Sequence, residues 1–437
     1  MMNVISENMI VRDFSQLLEG DLGADQIKVL MIYLNGLITE DEASINKLAK
    51  NTVDSFNERT MNRKLKKLAS NSKDILKKCL KSYQQIPELS IDENGLYILD
   101  EHIIRKWGKK IEGLGYFYSS SENKKVKGLS EISVHYYSKK IEYPVTYDIF
   151  RKKDELEKYN KEGQFRSKNE IARSLIKETI EINSKCKNWS FDPYFFTKDT
   201  AKYLIELGQY YVSRIKRNWK CTFKKKHYSI SELYDTLKKD DFQLVKVRHY
   251  STKKVRYFMV AERNVFIERL GNQLVLYVKE LKKDEKGNLI EKYEGKYMTL
   301  VSNMLDKSHG EIIKIYMMRW RIETGYRDQN QNLSLDKCRW RDIEGQYCFI
   351  ALVFLAYLLL CWARYKGYLK PYSDNLNTIG SIKESYKKYN NELFADWITD
   401  LKKQCNNCRL LKLVYHLIYN KKINIYQSDL YINSQIT

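Results

Sequence analysis

The stretch GEIIKIYMMRWRIETGYRDQNQ, residues 310–331, is the part of the chain from which the fold is inferred. Its apolar residues recur at helical spacing, so we predict one long helix over 310–332. On such a helix Ile315, Met318 and Ile322 face the protein core.

The polar residues of this predicted helix fall on one stripe. At about 100° per residue, Arg319 lies about 300°, Glu323 about 340° and Asn330 about 320° around the axis from Tyr316. An acid, a cation and an aromatic on one stripe are typical of a functional site. They are equally typical of a solvated face with an Arg–Glu pair at i,i+4, and spacing alone leaves both interpretations open.

Composition limits the class of protein. The chain has 437 residues, 43% of them hydrophobic, with 4 prolines and 18 glycines, which excludes a wholly disordered or collagen-like chain. Lys and Arg number 77 against 55 Asp and Glu, a net charge of +22. This excess favours a phosphate-backbone partner over a small acidic metabolite, although a lysine-rich proteome produces the same excess.

The cysteines and the first residues indicate an intracellular protein. Eight cysteines are scattered through the chain, and the start shows no basic segment followed by an apolar run, so we expect reduced thiols rather than disulfides. The single close pair, Cys405-x-x-Cys408, is a weak zinc signal because no second Cys/His pair lies nearby.

The first 90 residues are predicted to be helical. The segment NTVDSFNERTMNRKLKKL brings Arg63, Lys64 and Lys67 close together on what we expect to be the last of two or three short helices. Short helices ending in a basic one are similar to a helix-turn-helix that contacts DNA. A helical bundle with a solvated basic face is the alternative.

An α/β pattern begins near Ile91. GLYILD, 124–137 and 142–151 are predicted strands, 169–185 is a predicted amphipathic helix, and NWSFD is a short strand followed by a capped helix. Strands alternating with helices predict an α/β sheet. Asp100 and Asp192 each come at the end of a predicted strand, where ligands bind in open sheets.

Two later regions differ in pattern. Residues 217–300 are mostly β and are expected to form an inserted module, whereas the chain from 310 onwards is expected to be mainly helical. CFIALVFLAYLLLCWA, residues 348–363, has 16 residues. A membrane helix needs roughly 20, so we expect a helix buried inside the protein, over 344–366, and no membrane partner.

The predicted helix over 310–332 and the residues after it resemble a known family. Tyr316-x2-Arg319-x3-Glu323 matches the Tyr-Arg-Glu-Lys signature of DDE transposases from prokaryotic insertion sequences, and the match continues into Gln331, Leu333, Leu335 and Arg341. Asp100 in YILD and Asp192 in SFDPYFF are similar to the contexts of the family's two aspartates. This chain departs from the signature at Asn330, where the family has lysine.

The resemblance implies a fold class and a division of the chain. The fold is α/β: a ribonuclease H-like mixed sheet flanked by helices, interrupted by a β-rich insertion, with helical N- and C-terminal regions. The implied regions are a helical DNA-binding region, 1–90; the first part of the catalytic core, 91–216; the insertion, 217–300; the completion of the core, 301–366; and a helical C-terminal region, 367–437.

The resemblance also implies a metal-dependent chemistry. Asp100, Asp192 and Glu323 are the expected catalytic residues and ligands of two Mg²⁺ ions, with Mn²⁺ as a substitute. Carboxylates are the ligand type that Mg²⁺ prefers, and a two-metal site stabilises both the attacking and the leaving oxygen of a phosphodiester. The implied reaction is cleavage at terminal inverted repeats followed by strand transfer into target DNA.

Several residues are expected to contact DNA. They are Tyr316, Arg319 and Asn330 on the signature helix, Arg214, Lys216, Arg217 and Trp219 in a basic, aromatic run, and Arg63, Lys64 and Lys67 near the N-terminus. Trp219 has two interpretations, stacking on an unpaired base or packing in the core. The expected partners are double-stranded DNA and a second copy of the chain, in the cytoplasm at the nucleoid.

Two other functions remain compatible with the sequence. One is a ribonuclease H-like nuclease that cuts DNA but never joins it. The other is a DNA-binding relic that lost turnover, for which Asn330 is the only support.

Overall fold

The computed structural model describes residues 8–404 except 21, 41–43, 52–57, 109, 120–121, 251 and 253. The chain divides into two compact units. One comprises 1–89, 108–112 and 327–437, and the other comprises 90–107 and 113–326. The first is helical and the second contains the strands. Cys405 and Cys408 lie outside the described residues.

The α/β unit is built on one large mixed sheet. Its strands are β1 Leu96–Arg105, β2 Gly115–Ser119, β3 Lys124–Tyr137, β4 Glu142–Phe150, β5 Asn188–Phe191, β6 Tyr210–Arg214, β7 Lys220–Phe223, β8 Lys226–Ser229, β9 Gln243–Arg248, β10 Val255–Ile267, β11 Gly271–Lys283, β12 Leu289–Glu291 and β13 Met298–Ser302. The main order is β2-β3-β1-β5-β6-β13-β11-β10-β7-β8, with β4 beside β3, β9 beside β10 and β12 beside β11.

Parallel pairing is confined to the centre of this sheet. β5 runs parallel to both β1 and β6, and the other pairs are antiparallel. Parallel strands need crossover connections, which the helices between these strands supply. The sheet with its flanking helices confirms the predicted ribonuclease H-like α/β fold.

The strands of the β-rich region 217–300 continue the core sheet. β13 pairs with β6, with Leu300 opposite Arg214, so the strands of 217–300 extend the core sheet. This pairing with β13 satisfies backbone polar groups of β6 that an edge strand would leave exposed.

The helices of this unit begin and end at the expected signals. They are α6 Lys153–Glu157, α7 Lys168–Ile182, α8 Lys198–Glu206, α9 Ile230–Asp235 and α10 His309–Met318. α7 starts with a capping box between Ser167 and Glu170, and α8 with Thr197 accepting the N–H of Thr200. Gly208, at φ +66°, ends α8, because glycine adopts the left-handed conformation readily.

α10 and the next helix cover one face of the sheet. Ile312 and Ile313 are buried against strands of the insertion, whereas Ile322 packs with Leu96 and Ile98 of β1. Ile315 and Met318 are partly buried in the same contacts. The predicted core-facing side of the signature segment is thus confirmed.

The helical unit surrounds one apolar helix. It contains α1 Met9–Ser15, α2 Ala24–Thr39, α3 Ile45–Asn51, α4 Glu58–Ala69, α5 Ser72–Tyr83, α12 Ile343–Tyr365 and α13 Ile379–Gln404; α11 Arg321–Leu333 begins in the α/β unit and ends in this one. α12 packs against α1, α2, α4, α5 and α13.

α12 is longer than the apolar run suggested. It has 23 residues, enough to cross a membrane by length and composition, but 94% of its most apolar window is buried inside the protein. The hydroxyl of Tyr83 donates a hydrogen bond to the main-chain carbonyl of Leu358 on α12. A membrane helix would present that surface to lipid, so the predicted buried helix is confirmed. The six cysteines within the described residues are buried thiols that form no disulfide.

Candidate active site

The two aspartates directly follow paired residues of two neighbouring strands. β1 and β5 pair in parallel from Tyr97 opposite Trp189 to Leu99 opposite Phe191. Asp100 is the next residue after Leu99, and Asp192 is the next residue after Phe191. They therefore emerge together where the parallel pairing stops, at the carboxyl edge at which α/β sheets bind ligands.

The expectation that Asp100 ends its strand is wrong. β1 continues to Arg105 because β3 keeps pairing with it, and Asp100 lies opposite Ser133. What ends at Asp100 is the parallel pairing, and the backbone beyond β5 turns away instead. There the Asp192 carboxylate accepts the N–H of Tyr194 at 2.9 Å, which fixes this turn.

The signature segment forms two helices, not the one long helix expected. α10 ends at Met318 and α11 begins at Arg321. At the junction the N–H groups of Arg319, Trp320 and Ile322 bond to carbonyls three residues back, as in a 3₁₀ turn. The angles calculated for a continuous helix therefore do not carry across Arg319.

Arg319 nevertheless joins two of the three predicted catalytic carboxylates. Its Nη1 donates to Oδ2 of Asp100 at 2.7 Å, and its Nη2 lies 3.8 Å from Oε1 of Glu323. The guanidinium is 12% exposed and the Asp100 side chain 16%, so solvent screens this pair weakly.

The pKa of Asp100 depends on the other two carboxylates, those of Asp192 and Glu323. Burial raises the pKa of Asp100 to about 7; Arg319 opposes this shift, whereas the negative charges of Asp192 and Glu323 add to it. Like charges in one site disfavour each other's ionised forms. The charges of Asp192 and Glu323 therefore disfavour ionisation of Asp100, whereas Arg319 favours it.

The donor set suits a hard divalent cation in type, because all three groups are carboxylates. As the side chains stand, no group of three or more His, Cys, Asp or Glu among the described residues is arranged to hold a metal ion. One reason is visible in the contacts: an oxygen of Asp100 is occupied by Arg319.

Two further predicted DNA contacts converge on this site. The guanidinium of Arg319 lies 5.8 Å from the ring centroid of Tyr316, which is half-buried. Burial raises the pKa of Tyr316, and the nearby charges of Arg319 and Arg214 oppose that rise. Tyr316, Arg319 and Arg214 thus lie close to one another, beside the carboxylates.

The rest of the basic run lies just beyond Arg214. Lys216 and Arg217 are exposed, and the Arg217 guanidinium lies 4.4 Å from the ring centroid of Tyr297. The ring of Trp219 stacks on the buried Phe196, with centroids 4.8 Å apart. Trp219 thus packs on the protein while remaining half-buried.

The remaining predicted residues belong to the helical unit. Asn330 is half-buried on α11. Arg63 and Lys67 are exposed on α4 and line a depression of about 510 Å³ together with Arg59, Asn62 and Lys66. Lys64 differs, because its ammonium lies 2.5 Å from the carboxylate of Asp25.

Two residues near the site were not anticipated from the sequence. Trp320, beside Arg319 at the helix junction, is 55% exposed. Tyr326 is buried and its hydroxyl reaches the backbone of Asp100. The only local signal for Tyr326 was its position three residues after Glu323, on the same side of a helix.

Comparisons with known proteins agree with this site. A family model described as a transposase DDE domain matches residues 166–359, which include Asp192, Arg319 and Glu323. One described as a DDE superfamily endonuclease matches residues 17–232, which include Asp100 and Asp192. No curated protein matches the chain.

Proposed function

We propose that this chain is a DDE transposase, which excises a transposable element at its terminal inverted repeats and joins the freed ends to target DNA. The matches to a transposase DDE domain over 166–359 and to a DDE superfamily endonuclease over 17–232 support DNA cleavage. The joining step and the cut-and-paste outcome go further than these matches.

One observation carries the assignment of the catalytic residues. Asp100, Asp192 and Glu323 come from three separate elements, and the charges of the last two both act on the carboxyl group of Asp100. Placing like charges beside a buried carboxyl group is costly and is seldom retained for stability alone. We assign these three residues as the catalytic carboxylates.

The same three residues are the proposed ligands of divalent metal. Two Mg²⁺ ions, or Mn²⁺ in their place, would supply charge neutralisation at the scissile phosphate and lower the pKa of the attacking water or 3′-hydroxyl. The Arg319 contact with Asp100 satisfies part of the same negative charge in their absence.

The surrounding cations suit the DNA backbone. Arg319 presents a planar fork that matches a phosphate, and Arg214 and Tyr316 lie beside it. Lys216, Arg217 and Trp219 extend this surface along the chain, and Asn330 offers an amide in place of the family's lysine. Arg63, Lys64 and Lys67 are the proposed contacts of the helical region 1–90 with the element's ends.

The proposal extends to partners and location. The substrate is double-stranded DNA of the cytoplasmic nucleoid. Two copies of the chain pair the two ends, because both ends must be processed together for the element to leave its site.

The test uses DNA carrying the inverted repeats that flank the coding region, incubated with the full chain and Mg²⁺ or Mn²⁺. Asp100→Asn, Asp192→Asn and Glu323→Gln should each abolish cut product while leaving DNA-end binding intact. Glu93→Gln and Asp306→Asn, which change exposed carboxylates of the same unit, are the matched controls and should cleave normally. Cleavage by any of the three site variants at the wild-type rate would refute the assignment.

A DDE endonuclease without strand transfer is the second candidate, favoured by the match to residues 17–232. Supplying a supercoiled target plasmid separates the two. Joined product supports the transposase, whereas cut ends that accumulate without joining support the endonuclease. Salt-sensitive end binding without any metal-dependent product would instead identify a relic.

A further inference from the structure

The side chain of Tyr326 bridges two elements of the candidate active site. It lies on α11, three residues after Glu323, and is 5% exposed. Its hydroxyl donates to the main-chain carbonyl of Asp100 at 3.0 Å and lies 2.9 Å from Oγ of Ser133. Because the single phenolic proton goes to the carbonyl, the Ser133 hydroxyl is the donor in the second bond.

The ring of Tyr326 is held as firmly as its hydroxyl. It stacks on the imidazole of His102 with centroids 4.5 Å apart and planes 16° apart, and His135 meets its edge at 5.2 Å. The neighbouring Gly325 brings the helix close to the sheet, since an added Cβ would lie 2.6 Å from Nδ1 of His135. Rotation of the phenol is therefore blocked on several sides.

We propose that Tyr326 is a positioning residue, which sets the distance between the carboxylates of Glu323 and Asp100. Residues i and i+3 of a helix share a face, so fixing Tyr326 against β1 also fixes Glu323 over that strand. The Tyr326 hydroxyl bonds to the backbone of Asp100 and does not engage the Asp100 carboxylate. This inference rests on the proposed roles of Asp100 and Glu323.

A matched pair of substitutions isolates this role from ordinary stability. Tyr326→Phe removes the hydroxyl and keeps the ring. Tyr277→Phe is the control, because Tyr277 is also fully buried in this unit and its hydroxyl donates to a main-chain carbonyl, that of Ile230, at 2.8 Å. Both variants should lose similar thermal stability.

The measurement is Mn²⁺ binding to the DNA-free full chain, followed by electron paramagnetic resonance. We expect Tyr326→Phe to weaken Mn²⁺ binding about fivefold or more, the equivalent of one hydrogen bond, and Tyr277→Phe to leave it unchanged. The same Tyr326→Phe enzyme should need correspondingly more Mn²⁺ for half-maximal cleavage while binding DNA ends normally.

The outcomes distinguish the proposed metal site from the positioning role of Tyr326. If the wild type binds Mn²⁺ and Asp100→Asn does not, the metal site stands, and equal binding by Tyr326→Phe and wild type overturns the positioning role alone. Equal weakening by Tyr277→Phe also overturns it, because the effect would then be general. If the wild type binds no more Mn²⁺ than Asp100→Asn, the proposed metal site and the role of Tyr326 both fail.

Discussion

Arg319 forms an ion pair with Asp100, its Nη1 lying 2.7 Å from Oδ2 of the carboxylate. The two residues are 219 positions apart in the chain and meet because β1 runs beneath the junction of α10 and α11. A guanidinium in this place competes with any metal ion for the same oxygen.

Arg319→Met should separate two effects of this guanidinium, its competition with metal ions for Asp100 and its binding of the DNA phosphate. Methionine keeps much of the side-chain volume and removes the charge, so Asp100 loses its internal cation. We expect Mn²⁺ binding to the DNA-free protein to tighten, by about threefold or more, because one competitor is lost. Cleavage should fall by about tenfold or more, because the phosphate loses its bidentate partner. Electron paramagnetic resonance and a cleavage assay measure the two.

Arg319→Lys is the companion variant. Its ammonium keeps the charge but lacks the fork that reaches Asp100 and Glu323 together. Weaker Mn²⁺ binding by Arg319→Met would contradict the competition and show that Arg319 holds Asp100 in its ligating position.

Glu131, which is not one of the proposed metal ligands, provides a pH prediction. It is fully buried on β3, opposite His102, and burial raises its pKa to about 8. At pH values between the pKa of Glu131 in the unfolded chain and its raised pKa in the folded protein, the folded protein retains a proton that the unfolded chain has released. This contribution to stability therefore declines as pH rises through that window.

Glu131→Gln should remove that decline. Glutamine matches the shape of the protonated acid, so the two proteins should have similar free energies of unfolding at pH 5, whereas at pH 9 the variant should be more stable by about 2–4 kcal/mol. Urea unfolding at both pH values measures the difference. Glu285→Gln, at an exposed turn, is the control, and the same pH-dependent gain there would contradict the assignment to Glu131.

Gly325 tests the close contact between α11 and the sheet. Alanine is the better helix former, but its Cβ would lie 2.6 Å and 2.7 Å from atoms of the buried His135 ring. We expect Gly325→Ala to destabilise the protein by about 1–3 kcal/mol, since the ring has no room to move. Gly310→Ala, whose nearest contact would be Val245 at 3.7 Å, should be neutral or slightly stabilising. Equal unfolding midpoints for the two variants would show that the His135 ring moves to accommodate the added Cβ.

Local patterns predicted the elements of this protein better than their connections. The strand 124–137 and the helix after Ser167 follow from residue periodicity and capping, which act between near neighbours. The extension of β1 past Asp100 depends on β3, and the joining of β13 to β6 depends on residues far apart in sequence. Such pairings have no local signal.

The candidate site shows the same division. The residues Tyr316, Arg319 and Glu323 were identified by their match to a family signature, but the break in the helix between them was not predicted. That break arises from bonds to carbonyls three residues back and from the packing of Ile322 on β1. The role of Tyr326 was also hidden, because its partner is a main-chain carbonyl that any residue at position 100 would offer.

The basic residues of α4 give the last prediction, because the structure divides them. Met61, Leu65 and Leu68 form the buried side of this helix, while Arg63 and Lys67 are exposed. Lys64 is only 16% exposed and pairs with Asp25. A cation already paired within the protein releases few counterions from DNA, whereas an exposed one releases about one.

The double variant Arg63→Ala, Lys67→Ala should therefore weaken binding to the terminal repeats. It should also reduce the slope of log affinity against log salt concentration by roughly 1.8, about 0.9 for each contact. Lys64→Ala should leave that slope unchanged. Fluorescence anisotropy with labelled end DNA across a series of salt concentrations provides the measurement. If Lys64→Ala lowers the slope as much as either exposed residue does, Lys64 leaves Asp25 to contact the phosphates, and the division drawn from this helix is wrong.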